Sequence, residues 1–342
     1  MRSSIIIPTF NRSASLKITV ASLLALNSSP RDHEIIIVDN GSTDDTRAVA
    51  EAIIKSTPFR YIRYYCEPTP GLLSGRHKGA LESNGDILIF VDDDIVVDPE
   101  WLNAISDTFE DPKVHLVGGK NLAKFESTPP DWLEAFWFRD GGKRWCAYLS
   151  ILDFGDQLME IDPLYVWGLN FSIRRETLFE LGGFHPDYVP KAFQQFKGDG
   201  ETGLAWKVQA KGFKIIYQPR ALVHHMIPDQ RLTVEYFDQR MFLGGIHDSY
   251  TTIRRNQGIK FDWKMQEPFP QIRRLLRRIA AKLSADPYGV IKQRIREAWL
   301  EGYAFHQREV RKDPELLRWV LKDSYLDYRY GPFLHVEPSQ PV

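Results

Sequence analysis

Three consecutive carboxylates, Asp92, Asp93 and Asp94, interrupt the stretch Ile87 to Pro99, ILIFVDDDIVVDP. Five apolar residues run into them and three more, Ile95 to Val97, follow at once. Like charges at that density repel, and a carboxylate beside a buried strand costs free energy to desolvate, so the cluster needs compensation. A divalent cation would supply it, because Mg²⁺ and Mn²⁺ take oxygen ligands and are shared between one or two carboxylates and substrate phosphates. The blander reading is that Asp-rich turns cap helices, a role that Asp98 before Pro99 fits.

The elements around the carboxylates decide where such a site would sit. Short apolar runs alternate with amphipathic stretches through the first third of the chain, the signature of βαβ units and a largely parallel sheet. Ile5 to Ile7 reads as a strand, Ser13 to Leu26 as a helix with Leu16, Val20, Leu23 and Leu24 at helical spacing, and Ile35 to Val38 as a second strand. In DNGSTDDT (Asp39 to Thr46), Ser42 and Asp45 have the spacing of a capping box opening the next helix. A strand near Tyr61 to Tyr65, a helix near Ser74 to Ser83 and the strand Asp86 to Val91 continue the pattern. The carboxylates therefore fall at the C-terminal end of a strand, where open α/β sheets bind ligands. PTFN (Pro8 to Asn11) and VDNG (Val38 to Gly41) end their strands at the same rim.

Beyond Phe125 an aromatic segment, broken by Pro129, Pro130, Gly141 and Gly142, reads as a long functional loop with short helices. VWGLNFSIRRETLFELGGF (Val166 to Phe184) gives a strand and a short helix ending at Gly182 and Gly183, and GDGETGLAWKVQAKGFKIIY (Gly198 to Tyr217) gives a helix and a strand. After Pro228 the chain reads as helices. The expected division is residues 1–228 and a helical extension over 229–342, the first part splitting into a nucleotide-binding half, 1–124, and an acceptor half, 125–228.

Composition excludes several classes. The 342 residues are 43% hydrophobic and 26% charged, ordinary for a globular chain, and the formal net charge of -1 gives no field for nucleic acid. Two cysteines, Cys66 and Cys146, make no disulfide framework, which points to a reducing cytoplasmic compartment and to buried fillers. No stretch approaches the roughly 20 apolar residues of a membrane span, and the three isoleucines after MRSS are too short for a signal segment.

Asp92 to Val96 also fits D-x-D-x-V, which resembles the haloacid-dehalogenase phosphatase motif with Asp92 as nucleophile. In that family the motif follows the first strand, whereas here three βα units precede it. The whole set of blocks points elsewhere: SIIIPTFNR, IIIVDNGSTDDT, GRHKGALESNGDILIFVDDD, GLNFSIRRETLFELGGF and GDGETGLAWKVQAKGFKIIYQPRALVHH, in this order, resemble glycosyltransferase family 2 over roughly residues 4 to 228. The resemblance implies an α/β GT-A fold, with a mostly parallel Rossmann-like sheet flanked by helices. It also implies an inverting transfer, a nucleotide-diphosphate sugar and Mn²⁺ or Mg²⁺.

Residue by residue, it places Thr9, Asp39 and Arg76 around the nucleotide, with Asp39 suited to accept the imide N–H of uracil and so to favour a UDP-sugar. It makes Asp94 a direct metal ligand, Asp92 a ligand of metal or ribose, and Asp93 a residue open to either role. His225, closing the run Pro219, Ala221, Val223, matches a late metal or diphosphate ligand, with His224 beside it. The base for the acceptor hydroxyl falls on Glu201, or on Asp199 two residues earlier, although helix-start carboxylates are also what the macrodipole favours. Trp167, Gly168 and Asn170 match the floor beneath the transferred sugar, and the loop from Phe125 to Tyr148 is the candidate acceptor surface and lid. The acceptor would be a saccharide, a lipid-linked or a small molecule, and the absence of a Q-x-x-R-W element predicts single additions. A helix over Pro268 to Leu283 would set Ile272, Leu276, Ile279 and Leu283 opposite four arginines, either packing on its own domain, resting on an anionic membrane or serving a homodimer. A silent nucleotide-sugar binding module is the rival from a different class.

Overall fold

A computed structural model describes residues 2–29, 32–260, 279, 281 and 285–327. The expected helix over Pro268 to Leu283 lies almost wholly outside them. Strands β1 (Ser3–Thr9), β2 (His33–Asp39), β3 (Ile62–Cys66) and β4 (Ile87–Phe90) pair in parallel in the order β3, β2, β1, β4. All residues of β1, β2 and β4 are buried, as strands of a parallel sheet covered on both faces must be. Helices α1 (Ser13–Leu24), α2 (Thr46–Ser56) and α3 (Leu72–Glu82) make the crossovers, and the elements read from the sequence in this half stand within two residues of their expected ends.

One local expectation fails for an instructive reason. Helix α2 does not begin with a capping box at Ser42: Asp44 accepts the Thr46 N–H at 3.0 Å, while the Ser42 hydroxyl accepts the N–H of Asn11 at 2.9 Å. Asn11, at φ 52°, turns its own Oδ1 onto the Thr43 N–H at 2.7 Å. The turn after β2 is thus tied to the end of β1, and the tertiary neighbour displaces the local cap.

The second half departs from the expected mostly parallel sheet. It adds β5 (Ile95–Val97), α4 (Trp101–Thr108), β6 (Val114–Phe125), β7 (Phe138–Asp140), β8 (Lys143–Cys146), β9 (Ile151–Asp153), β10 (Met159–Glu160), β11 (Phe171–Arg174), α5 (Arg175–Glu180), α6 (Gly200–Ala210) and β12 (Lys214–Ile227). Strand β11 runs antiparallel to both β4 and β6, so the central sheet is mixed. Strand β12 follows β6 in parallel, breaks register between Gln218 and Val223, and past that irregularity also pairs with β5, setting His225 opposite Ile95. The segment expected as a long loop holds the small strands β7 to β9. Its aromatics pack rather than wave: Trp132, Phe136 and Tyr148 stand 5.0, 5.4 and 4.8 Å from the ring of Phe237. Cys146 is a buried filler as expected, its thiol pushed up to about 11 by burial, whereas Cys66 is exposed.

Phe237 belongs to α7 (Val234–Arg255), which packs along α8 (Gly289–Lys312) before α9 (Pro314–Leu321) closes the described chain. Glycines let α7 and α8 approach: a Cβ on Gly302 would lie 1.9 Å from the Phe242 carbonyl oxygen, and one on Gly245 2.1 Å from that of Trp299. The core does not stop at residue 228. Tyr250, Ile253, Trp319, Val320 and Tyr325 share one buried cluster with Phe184, Leu204 and Phe90. Among the described residues no helix is long and apolar enough to cross a membrane.

His77 fastens the tail to α3. Its Nδ1 donates to the Tyr325 carbonyl at 3.1 Å and its Nε2 accepts the Phe184 N–H at 2.9 Å. Burial lowers its pKa to about 3, and does the same to His306. Histidines in an unfolded chain titrate near 6.5, so below that pH unfolding takes up protons that the folded rings refuse; the stability is complete above about 6.5 and is lost as pH falls toward 3. Glutamine can reproduce both hydrogen bonds without the proton, so between about pH 7 and about pH 5 the melting temperature of His77→Gln should fall less than that of wild type. Parallel thermal melts check this, and equal acid slopes would contradict it.

Candidate active site

The three carboxylates meet three different surroundings at the C-terminal rim of β4. Asp93 is 6% exposed, accepts the Thr9 hydroxyl at 2.6 Å and lies 3.4 Å from Arg12 Nη1. Its burial pushes the carboxyl up to about 7, although Arg12 pulls the other way. Asp94 Oδ2 accepts from Arg12 Nη1 at 2.6 Å and from Arg231 Nη2 at 2.7 Å. Burial would raise Asp94 as well, but the Arg231 and Arg12 guanidiniums hold the carboxylate below its usual range. Asp92 is the open member, its side chain 39% exposed and its Oδ1 4.0 Å from Arg76 Nη2. Arginines therefore do part of what a cation alone was expected to do. Sequence reading missed Arg12 and Arg231, although a buried triple carboxylate is itself a signal to look for basic partners.

Of the residues expected around the nucleotide, Thr9 and Asp39 end β1 and β2. Thr9 is buried and its hydroxyl donates to Asp93 at 2.6 Å, which leaves that oxygen only its lone pairs for any other partner. Asp39 remains at the rim with Oδ1 on the Ser42 N–H at 2.7 Å and Oδ2 on the Tyr64 hydroxyl at 2.7 Å. Each oxygen keeps a second lone pair for a ligand donor. Tyr64, from β3, was not anticipated, and burial followed by the Asp39 charge raises its hydroxyl well above its usual range.

On the far side of the crevice, α6 presents Glu201. Its Oε2 accepts from Arg76 Nη1 at 3.1 Å and its Oε1 takes the Gly168 N–H at 3.0 Å. Arg76 is 3% exposed, so one buried guanidinium, with Phe184 at 5.0 Å, stands between Glu201 and Asp92. Asp199 faces elsewhere: Oδ1 pairs with His185 Nδ1 at 2.6 Å and Oδ2 accepts the Thr251 hydroxyl at 2.8 Å, all buried. Its partners lower its pKa to about 2 against the opposing effect of burial. Both of its oxygens are bound inside the protein, at the start of α6. Asn170 is likewise internal, its amide nitrogen on Asn121 and Ala221 and its oxygen on the Trp101 indole N–H. It ties β6 and β12 together beneath the 168–170 turn, while the Gly168 N–H meets Glu201. The Trp167 indole donates to the Leu164 carbonyl at 2.8 Å, leaving a half-buried ring.

The donor set can accommodate a divalent cation. Asp94 Oδ1 is buried without a hydrogen-bond partner and lies 3.5 Å from His225 Nε2. The His225 Nδ1 donates to the Leu149 carbonyl at 2.8 Å, which leaves the Nε2 lone pair as an acceptor, met by Arg231 Nη1 at 2.7 Å. His224, one residue earlier on the strand, points to the opposite face. Among the described residues no three His, Cys, Asp or Glu side chains are gathered as a ready ligand set, so further ligands would have to come from substrate and water.

A mixed sheet with an acidic strand end facing a helix-borne carboxylate is the arrangement of a GT-A transferase. The chain matches the profile of Glycosyl transferase family 2 over residues 4–177, half of its length, and it belongs to that family. A glucosyl-dolichyl phosphate glucuronosyltransferase of Haloferax volcanii is 25% identical over 249 residues, which are 72% of this chain and 75% of that one. The succinoglycan biosynthesis protein ExoM of Rhizobium meliloti is also 25% identical, over 72% of this chain and 74% of its own. In fold, a mannosyltransferase of Pyrobaculum calidifontis solved with GDP-Man and Mn2+ superposes with a TM-score of 0.55 at 16% identity, covering 96% of this chain and 86% of that one. Family membership makes the protein a glycosyltransferase and removes the phosphatase alternative for Asp92.

Gly168 offers a test of the crevice wall. A Cβ there would lie 1.9 Å from Arg76 Nη2, so Gly168→Ala must push the guanidinium off Glu201. We expect a stability loss of about 1–3 kcal/mol and a larger proportional loss of donor turnover, read by thermal melting and sugar-nucleotide hydrolysis. Unchanged turnover would show that the Arg76 to Glu201 contact is dispensable.

Proposed function

We propose that the protein transfers one sugar, with inversion, from a UDP-sugar to an acceptor hydroxyl in the assembly of a glycan or glycoconjugate, using Mn²⁺ or Mg²⁺. The observation that carries this reading is the single guanidinium of Arg76, 3.1 Å from Glu201 on one side and 4.0 Å from Asp92 on the other. In-line displacement at an anomeric carbon needs a base on one face and a stabilised leaving group on the other, and Arg76 spans those two faces. Asp39 and Tyr64 bound the base end of the crevice, where the Asp39 carboxylate would accept the uracil imide N–H. Asp94 and His225 would hold the cation, with Asp92 reaching it or the ribose. When bound, the cation neutralises charge on the departing diphosphate.

Glu201 takes the acceptor proton in this scheme. Its contacts with Arg76 and the Gly168 N–H fix its rotamer. Asp199, through His185 and Thr251, holds the helix start that delivers it. The donor identity is supported by the Asp39 chemistry, and the mannosyltransferase of like fold, solved with GDP-Man, agrees with a sugar nucleotide as donor class. A lipid-linked or saccharide acceptor fits this reading.

Glu201→Gln keeps the size and the Gly168 contact but cannot accept the proton. Turnover should fall by about 10²–10⁴ while UDP binding in the presence of Mn²⁺ stays within a few-fold of wild type. Calorimetry beside a donor-transfer assay separates the two, and full activity in the variant would remove Glu201 from the mechanism.

A further inference from the structure

The contact that deserves an explanation of its own is the one Arg231 makes with both expected cation ligands at once. Its Nη2 donates to Asp94 Oδ2 at 2.7 Å and its Nη1 lies 2.7 Å from His225 Nε2. A guanidinium has only N–H donors, so His225 Nε2 must accept, in agreement with the Nδ1 proton being given to the Leu149 carbonyl. A neutral imidazole has one lone pair at Nε2. It cannot serve the arginine and a metal ion together.

We propose that Arg231 gates the cation site: it occupies Asp94 and His225 until a nucleoside diphosphate arrives with the cation and takes the guanidinium over. This rests on the reading of Asp94 and His225 as cation ligands given above. Three features support it. Arg231 sits on a single turn, Asp229–Arg231, that joins β12 to α7, and its side chain is 16% exposed, at the edge of the crevice rather than sealed under it. A second guanidinium, Arg12, holds the same Asp94 oxygen but does not reach His225, so charge compensation and lone-pair blocking are divided between two residues. Finally, a lone divalent ion entering here would meet both arginines, whereas a diphosphate offers them oxygen acceptors suited to the planar fork. The gate thus makes cation and nucleotide bind as a pair, and it keeps Asp94 compensated between turnovers.

The test measures Mn²⁺ uptake by the full chain, with and without UDP, by calorimetry. Wild type should bind Mn²⁺ alone weakly and far better with UDP. In Arg231→Ala, affinity for Mn²⁺ alone should rise about 5- to 100-fold, the enhancement by UDP should shrink, and UDP binding at saturating Mn²⁺ should weaken. Arg12→Ala removes an equal charge without freeing the imidazole, so its gain for Mn²⁺ alone should be smaller. Arg231→Gln, closer in shape, repeats the measurement if the alanine variant does not fold. If wild type takes up Mn²⁺ with UDP but neither Arg231 variant binds Mn²⁺ alone more tightly, or Arg12→Ala gains as much, the gate is overturned and the cation site stands. If wild type takes up no Mn²⁺ even with UDP, the cation site falls and the gate with it.

Discussion

Three adjacent carboxylates at the end of a buried strand cannot be left uncompensated, and much of this molecule is arranged around that constraint. The compensation comes from three arginines that the chain delivers from separate places: Arg12 just past β1, Arg76 on α3 and Arg231 after β12. Each aspartate is thereby given a distinct character. Asp93 is buried against Thr9 with a raised pKa, Asp94 is a fixed anion between guanidiniums, and Asp92 is left open to the crevice. A buried ion pair is costly to form and costlier to break, so its value here lies in positioning more than in net stability.

The opposite wall follows from a second arrangement. Glu201 is held in place by a helix start that Asp199 pins to His185 and to Thr251 of α7. Helix α7 is in turn packed on α8, and Tyr325 beyond α9 bonds back to His77, the neighbour of Arg76. The C-terminal helices therefore act on the crevice from behind. They complete the core beneath α6 and α3, which explains why the buried cluster ignores the boundary drawn at residue 228. Trp132, Phe136 and Tyr148, from the segment read as an acceptor lid, pack their rings against Phe237 of the same extension.

Much of the site was legible because it depends on local order. Strand ends such as PTFN, VDNG and VDDD are read directly from apolar runs that stop at polar residues, and the rim on which they converge follows from βαβ connectivity. Arg76 stands between Asp92 and Glu201, and Asp94 lies against Arg231 and His225. Internal partners are what the linear pattern leaves open. Thr9, Asp199 and Asn170 are polar residues in the right blocks whose side chains turn inward, and nothing in a linear pattern says which partner a hydrogen bond will choose. The Ser42 cap failed in the same way, losing to Asn11 across the strand end.

What the sequence settled by itself was the periodicity of its elements, the parallel first half, the polar strand ends and the family blocks, because each is fixed by neighbours a few residues away. What only the tertiary structure decided was every pairing across long separations. His225 meets Asp94 because β12 shifts register and then pairs with β5, and Arg231 reaches both only because the turn after β12 is brought to the end of β4. Burial sets which charges are satisfied, and burial is a property of packed layers that no single segment carries.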